Sequence, residues 1–229
     1  MENKVFSDQQ RSSSEISSAI EGLSMVGKAE NGDSKDDQDD NSLQIPTKHF
    51  LSLCNSLVLH VLDKIGPTMA VLRQDVHQNI QRLEMQHESN PLKYSNVVEM
   101  IKEEVAEGTA RKGASCSKAF VWLTRSLDFS VALLQKLVKD PGQNMEEAVE
   151  EAYNITLKPW HRWISSAAFR VALKLVPNYR TFISVLLGKD ENYDTLKEEM
   201  QTLILLLVPF LEQIHVVLRL YGLDRIKST

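Results

Sequence analysis

The sequence predicts an all-α fold, and three observations carry that prediction. Apolar residues recur at three- and four-residue spacing through most of the chain after Ile45. No stretch alternates polar and apolar side chains long enough to form a half-buried strand. Prolines and glycines fall between the periodic segments, where they act as breaks. The segments and breaks are irregularly spaced, which argues against a solenoid.

Residues 1–44 read as a mostly disordered tail, and residues 45–229 as one helical domain. The run Gly32–Asn41 (GDSKDDQDDN) is too polar and acidic to bury a core. Its aspartates lack the glycine and closing glutamate of a calcium loop. Within the tail, residues 15–26 carry Ile16, Ala19, Ile20, Leu23 and Val26. That spacing predicts a short amphipathic helix docked on the domain.

Pro46 suits a first helical turn, and His49–Ile65 follows with one apolar face. Gly66-Pro67 breaks it, and a helix runs over Thr68–His87 until Asn90-Pro91. Tyr94–Ala106 follows, with Val97, Val98, Ile101 and Val105 facing inward. Gly108 and Gly113 bracket the next break before a long helix at Ser115–Val138. Asp140-Pro141-Gly142 is a turn, and Met145–Leu157 is helical. After KPWHRW come helices at Ile164–Leu175, Thr181–Leu187 and Tyr193–Tyr221, the last bent at Pro209.

Composition excludes several functions. The net charge of -5 offers no basic surface for nucleic acid. The two cysteines, Cys54 and Cys116, sit in apolar helical contexts and read as reduced thiols of a cytosolic protein. The N-terminus shows neither the apolar core of a secretory signal nor the basic bias of a transit peptide. The longest apolar run, Leu203–Leu211, is interrupted by Pro209 and followed by Glu212. A spanning helix needs ~20 predominantly apolar residues, so membrane contact is expected at the surface.

The predicted helix over Thr68–His87 holds the most suggestive pattern. Asp75, Asn79 and Arg82 fall at i, i+4 and i+7 and so share one face, beside the apolar stripe Leu72, Val76, Ile80 and Leu83. A carboxylate, an amide and a forked cation in a row can grip a polar headgroup by directed hydrogen bonds. The alternative is the solvated face of an amphipathic helix. Lys118 and Trp122 share a face of the Ser115–Val138 helix, with Arg125 next along it. That tryptophan can serve as a stacking platform for a sugar or as an ordinary packing anchor. His161 lies between Trp160 and Trp163 in PWHRW. Tryptophans there suit a membrane interface, and the alternatives are plain packing and a core histidine bonded to a backbone carbonyl.

Catalytic signatures are missing: no nucleophile elbow, no phosphate-cradling glycine loop, no His-Glu-x-x-His and no paired-cysteine metal spacing. His60 with Asp63 imitates a base and its orienter on an otherwise plain helix. The expectation is a non-enzyme with no metal and no cofactor.

Taken together, Asp75, Asn79, Arg82, Trp122 and His161, within DVHQNIQR, VWLTRSL and PWHRWI, resemble the headgroup recognition centre of the glycolipid transfer protein family. The resemblance covers Ile45 to the C-terminus and includes the positions of the breaks. It implies a two-layer all-helical sandwich without disulfides. It also implies a carrier that shields ceramide chains between its helix layers. By that resemblance Asp75 and Asn79 bind headgroup hydroxyls and the ceramide amide, and Arg82 adds a headgroup contact. Trp122 stacks under the first sugar and His161 bonds the ceramide carbonyl. Trp163 touches the membrane together with Trp160, and Phe169 lines the chain pocket. Lys118 departs from the sugar-binding members, where the position is apolar; ceramide-1-phosphate members, including the plant accelerated-cell-death type, have arginines at both 118 and 122. The expected ligand is therefore a glycosylceramide, with ceramide-1-phosphate second. A monomer in transient contact with membranes is implied. A sphingolipid sensor and a helical protein-binding adaptor are the rival readings.

Overall fold

Side-chain caps fix where most of the helices begin. In the computed structural model, which describes residues 14–29, 44–188 and 192–228, Asn96 accepts from Val98 N–H, Ser115 from Lys118 N–H and Asn144 from Glu146 and Glu147 N–H. Asn178 and Asn192 do the same for Thr181 and Thr195. Each cap satisfies an otherwise orphaned N–H of the first turn. The acidic run Gly32–Asn41 lies outside the described residues.

The helices are α1 (Glu15–Ala29), α2 (Thr47–Cys54), α3 (His60–Ile65), α4 (Ala70–Ser89), α5 (Val97–Ala106), α6 (Cys116–Lys139), α7 (Met145–Thr156), α8 (Trp163–Leu173), α9 (Tyr179–Leu186) and α10 (Tyr193–Leu220). Among the described residues the only strand-like pairing is a bridge between Pro46 and Asn96. The fold class is all-α, as the periodicity predicts. A π-helical turn at Asn55–Leu59 joins α2 to α3, so the predicted helix over His49–Ile65 carries an extra residue in its middle. Val105, expected inside, is 39% exposed, because α5 ends one residue later and its last turn leaves the core.

Helix α6 is the centre of the molecule and packs against α2, α4, α5, α7 and α10. Its Phe120, Val121, Leu123, Leu127 and Leu137 are essentially solvent-free. Each such side chain contributes roughly 1.5–3 kcal/mol by leaving water. Helix α10 packs on α6 and α1 through Leu196, Met200, Leu203, Leu207 and Ile214. By length and composition α10 could cross a membrane, contrary to the sequence expectation, but this face is used as protein interior. It runs unbroken through Pro209. Helix α1 packs on α2 and α10 with Ile16, Ala19 and Leu23 buried, so it joins the core formed by the helices after residue 45.

Both cysteines are buried and unpaired. Burial pushes the Cys116 thiol up to about 12, and the more deeply enclosed Cys54 higher still.

Candidate functional site

Helix α4 holds Asp75, Asn79 and Arg82 in a connected row. Asn79, nearly buried, donates from Nδ2 to the Asp75 carbonyl at 3.0 Å and accepts from Arg82 Nη1 at 3.2 Å. The amide is thereby oriented by its own helix. Asp75 keeps solvent contact, yet burial by its neighbours raises its carboxyl pKa, with Arg82 pulling it back. This is a group that gains from hydroxyl or amide donors. Helix α4 packs on α6, where Cys116 Sγ lies 3.7 Å from the Arg82 carbonyl. Lys118, half-buried one turn before Trp122, has no ion pair among the described residues.

The second group is assembled from three stretches of chain. Trp122 on α6 and His161 between α7 and α8 have ring centroids 5.5 Å apart. Arg125 lies between two tryptophans, its guanidinium 4.8 Å from the Trp122 centroid and 4.3 Å from that of Trp160. It is itself only 3% exposed and donates to the carbonyls of Ile226 at 2.7 Å and Asp224 at 3.0 Å. Burial lowers its pKa to about 10, against the pull of Asp128 and Asp224, so it remains a cation at neutral pH. Ser228 closes the same junction, its N–H donating to the Trp160 carbonyl at 2.9 Å and its Oγ accepting from Arg162 N–H at 2.8 Å.

Among the described residues His161 is not bonded to a carbonyl. Its Nδ1 lies 3.2 Å from the Tyr153 hydroxyl, and Nε2 has no partner among the described residues. Burial, and then Arg125, lowers its pKa and favours the neutral ring. Tyr153 also stacks on Phe169 at 3.5 Å with the rings 6° apart.

Phe169 is a wall of an apolar cavity of about 150 Å³. The other walls come from α1, the α2–α3 helix, α6, α7, α8 and α9, with Val61, Leu133, Leu173 and Phe182 among them. Leu72 lines it too, three residues before Asp75 on α4. The row and the aromatic group share no direct hydrogen bond among the described residues; the row stands on α4 and Trp122 on α6, and those two helices pack on each other.

The two tryptophans expected at a membrane differ. Trp163 is 79% exposed at the start of α8, whereas Trp160 is half-buried with its ring over Arg125. Tyr153 and the segment 222–228 carry no sequence signal that marks them. Arg125 is visible as a cation flanking Trp122, but not as the anchor of the C-terminus.

The sequence profile described as Glycolipid transfer protein (GLTP) matches residues 45–188. The chain belongs to this family. It is similar to Glycolipid transfer protein 3 of Arabidopsis thaliana, 55% identical over 215 residues that cover 93% of this chain and 92% of the relative. Glycolipid transfer protein 2 of the same plant is 48% identical over 228 residues, end to end in both chains. Among solved structures, one described as showing how FAPP2 selects simple glycosphingolipids using the GLTP-fold superposes with a TM-score of 0.73 at 27% identity, covering 84% of this chain and 93% of that one. Arabidopsis ACD11 in complex with ceramide-1-phosphate gives 0.77 at 15% identity over 92% of this chain and 98% of that one, a likeness of fold alone. The GLTP-type helical fold expected from the recognition residues is thus the observed one.

Proposed function

We propose that the chain is a non-enzymatic carrier that binds one sphingolipid and moves it between membranes. The observation that carries this reading is the continuity of a polar mouth with an apolar interior. His161 meets Tyr153, Tyr153 stacks on Phe169, and Phe169 lines the cavity; on α4, Leu72 lines the same cavity one turn from Asp75. The names of the relatives and the ligands of the structural neighbours support it.

The physics fits. Exposing a hydrocarbon chain costs ~0.8 kcal/mol per CH₂, so a ceramide chain of ~15 such groups costs roughly 12 kcal/mol in water. An apolar slot removes that cost during transit. Selection falls to the mouth, where each hydrogen bond to a charged group contributes ~1.5–3 kcal/mol. Asp75 and Asn79 take headgroup hydroxyls and the ceramide amide, Arg82 and Lys118 border the headgroup, Trp122 stacks on the sugar, and His161 donates to the ceramide carbonyl through Nε2. Trp163 enters the membrane surface, with Trp160 behind it; Val171 and Leu175 are also exposed. The carrier acts as a monomer in the cytosol.

A monoglycosylceramide is the preferred cargo over ceramide-1-phosphate: Trp122 offers a sugar a ring face, and that stacking geometry is weighted above the charge that Lys118, a flexible ammonium, and Arg82 bring to a phosphate. Vesicle-to-vesicle transfer of glucosylceramide, galactosylceramide, lactosylceramide and ceramide-1-phosphate tests it. Wild type should move the monoglycosylceramides fastest, Trp122→Arg should shift preference toward ceramide-1-phosphate, and Lys118→Leu should leave sugar-lipid transfer intact. Brisk ceramide-1-phosphate transfer without any of glucosylceramide, lost in Lys118→Leu, overturns the headgroup assignment. Binding without transfer points to a sensor, and failure to bind any of these lipids points to a protein-binding adaptor.

A further inference from the structure

The cations of this chain are unevenly placed. Between Glu151 and Asp190 the sequence holds Lys158, Arg162, Arg170, Lys174, Arg180 and Lys189, and no aspartate or glutamate. None of the 31 acidic residues falls in this stretch, although the net charge of the chain is -5. The stretch supplies the end of α7, the α7–α8 junction, α8 and α9. Lys158, Arg162, Arg170, Lys174 and Arg180 are all exposed, and none has an ion pair among the described residues. Lys158 Nζ donates to the neutral Asn154 side chain at 2.9 Å. Glu151, the last acid before the stretch, is paired with Lys136.

Helix α8 sorts its residues onto two faces. Phe169, Ala172 and Leu173 line the apolar cavity. Trp163, Ala167, Arg170, Val171 and Lys174 fall at i, i+4, i+7, i+8 and i+11, so they share the other face. All five are exposed. The inner face serves the interior of the fold, and nothing in the fold covers the outer one. An exposed tryptophan and valine suit the headgroup zone of any bilayer. The cations beside them add a preference. A surface containing anionic lipid attracts each lysine or arginine near it, strengthening partitioning about fivefold per residue. The attraction reaches about one Debye length, ~10 Å at 0.1 M salt.

We propose that the Trp163–Arg170–Lys174 face of α8 docks on bilayers that carry anionic lipid, and so selects by surface charge the membrane that the protein meets. This rests on the membrane contact of the carrier reading above and adds the lipid class of that membrane. Trp163 and Val171 insert; Arg170 and Lys174 choose. All of the acidic residues lie outside the stretch, so an anionic surface repels the rest of the chain while it attracts this face. That difference orients the approach. One helix, roughly 10 Å across, then separates the bilayer from the cavity behind Phe169. An acidic protein would match the cations, but it gives the exposed tryptophan no headgroup zone to enter.

The test measures partitioning of the full chain onto vesicles of phosphatidylcholine, with and without about a fifth phosphatidylserine. Wild type should bind the anionic vesicles about tenfold or more tightly at low salt. The ratio should shrink as salt rises from about 0.1 to 0.5 M. Arg170→Gln with Lys174→Gln should bring the ratio below about threefold, whereas Arg170→Lys with Lys174→Arg should keep it. Trp163→Ala should weaken binding to both vesicle types and preserve their ratio. The proposal is overturned if wild type binds both vesicles equally, if the ratio ignores salt, or if it survives the double glutamine variant. Equal binding would leave an acidic protein as the partner of these cations. A chain that prefers anionic vesicles yet carries no glucosylceramide refutes the carrier reading and leaves the docking intact. One that carries glucosylceramide without the preference does the reverse.

Discussion

The Asp75–Asn79–Arg82 row and the Trp122–Arg125–Trp160–His161 group flank the same helix pair, yet they are held in opposite ways. The row stands on one helix and is ordered by hydrogen bonds within that helix. The aromatic group needs α6, the α7–α8 junction and the C-terminal segment at once, and Arg125 ties them together. A site on one helix can be altered with little cost to folding, because its neighbours do not depend on it. A site gathered around a buried cation belongs to the fold as much as to the ligand.

The largest expected effect should come from the row. Asp75→Val should reduce sphingolipid transfer to background, while circular dichroism and the melting temperature stay near wild type. The carboxyl's raised pKa means that its charged form gains nothing from folding, so removing it should not destabilise the chain at neutral pH. A collapsed fold would erase the contrast between the two regions.

Next in size is Arg125→Leu. It removes two charge-assisted hydrogen bonds to main-chain carbonyls and the ring contacts, and leaves those carbonyls unsatisfied. Urea denaturation should show a loss of about 2–4 kcal/mol. Loss of transfer with unchanged stability would instead make Arg125 a ligand contact like the row.

A smaller effect depends on pH. The folded pKa of His161 lies below its ordinary value of 6.5, so between the two the unfolded chain binds the proton first. Stability should therefore fall as pH drops below 6.5, and level off beneath the folded pKa. The melting-temperature difference between wild type and His161→Gln, followed from pH 8 to about 5, isolates this contribution. A pH-independent difference would show that His161 is not held neutral by its surroundings.

The smallest structural effect belongs to Trp163→Ala. With its ring in solvent, stability should change by no more than about 0.5 kcal/mol. Vesicle partitioning should weaken severalfold and transfer should slow, with lipid affinity in solution little changed. Trp163 fluorescence in a variant lacking the other tryptophans should shift on adding vesicles.

Much of the fold was legible because helix periodicity is a local signal. The row on α4 was legible for the same reason: i, i+4 and i+7 share a face whatever packs nearby. The bonds of Arg125 to Asp224 and Ile226 were not, since they join groups 99 and 101 residues apart without any local pattern. Tyr153 escaped notice because a tyrosine at helical spacing reads as core, and its pairing with His161 depends on how the α7–α8 junction turns. The π-helical turn at Asn55–Leu59 adds one residue to a run too short for the period to register. Val105 shows the converse: the stripe continued in sequence after the core had ended.

The two enclosed thiols bear on how this molecule can be handled and on what it ignores. The reactive form of cysteine is the thiolate, and at neutral pH neither Cys54 nor Cys116 supplies a useful fraction of it. Mild oxidants and maleimides should pass the folded chain by. A single cysteine placed beside Trp163 would then take a dye or spin label alone, in an otherwise native background.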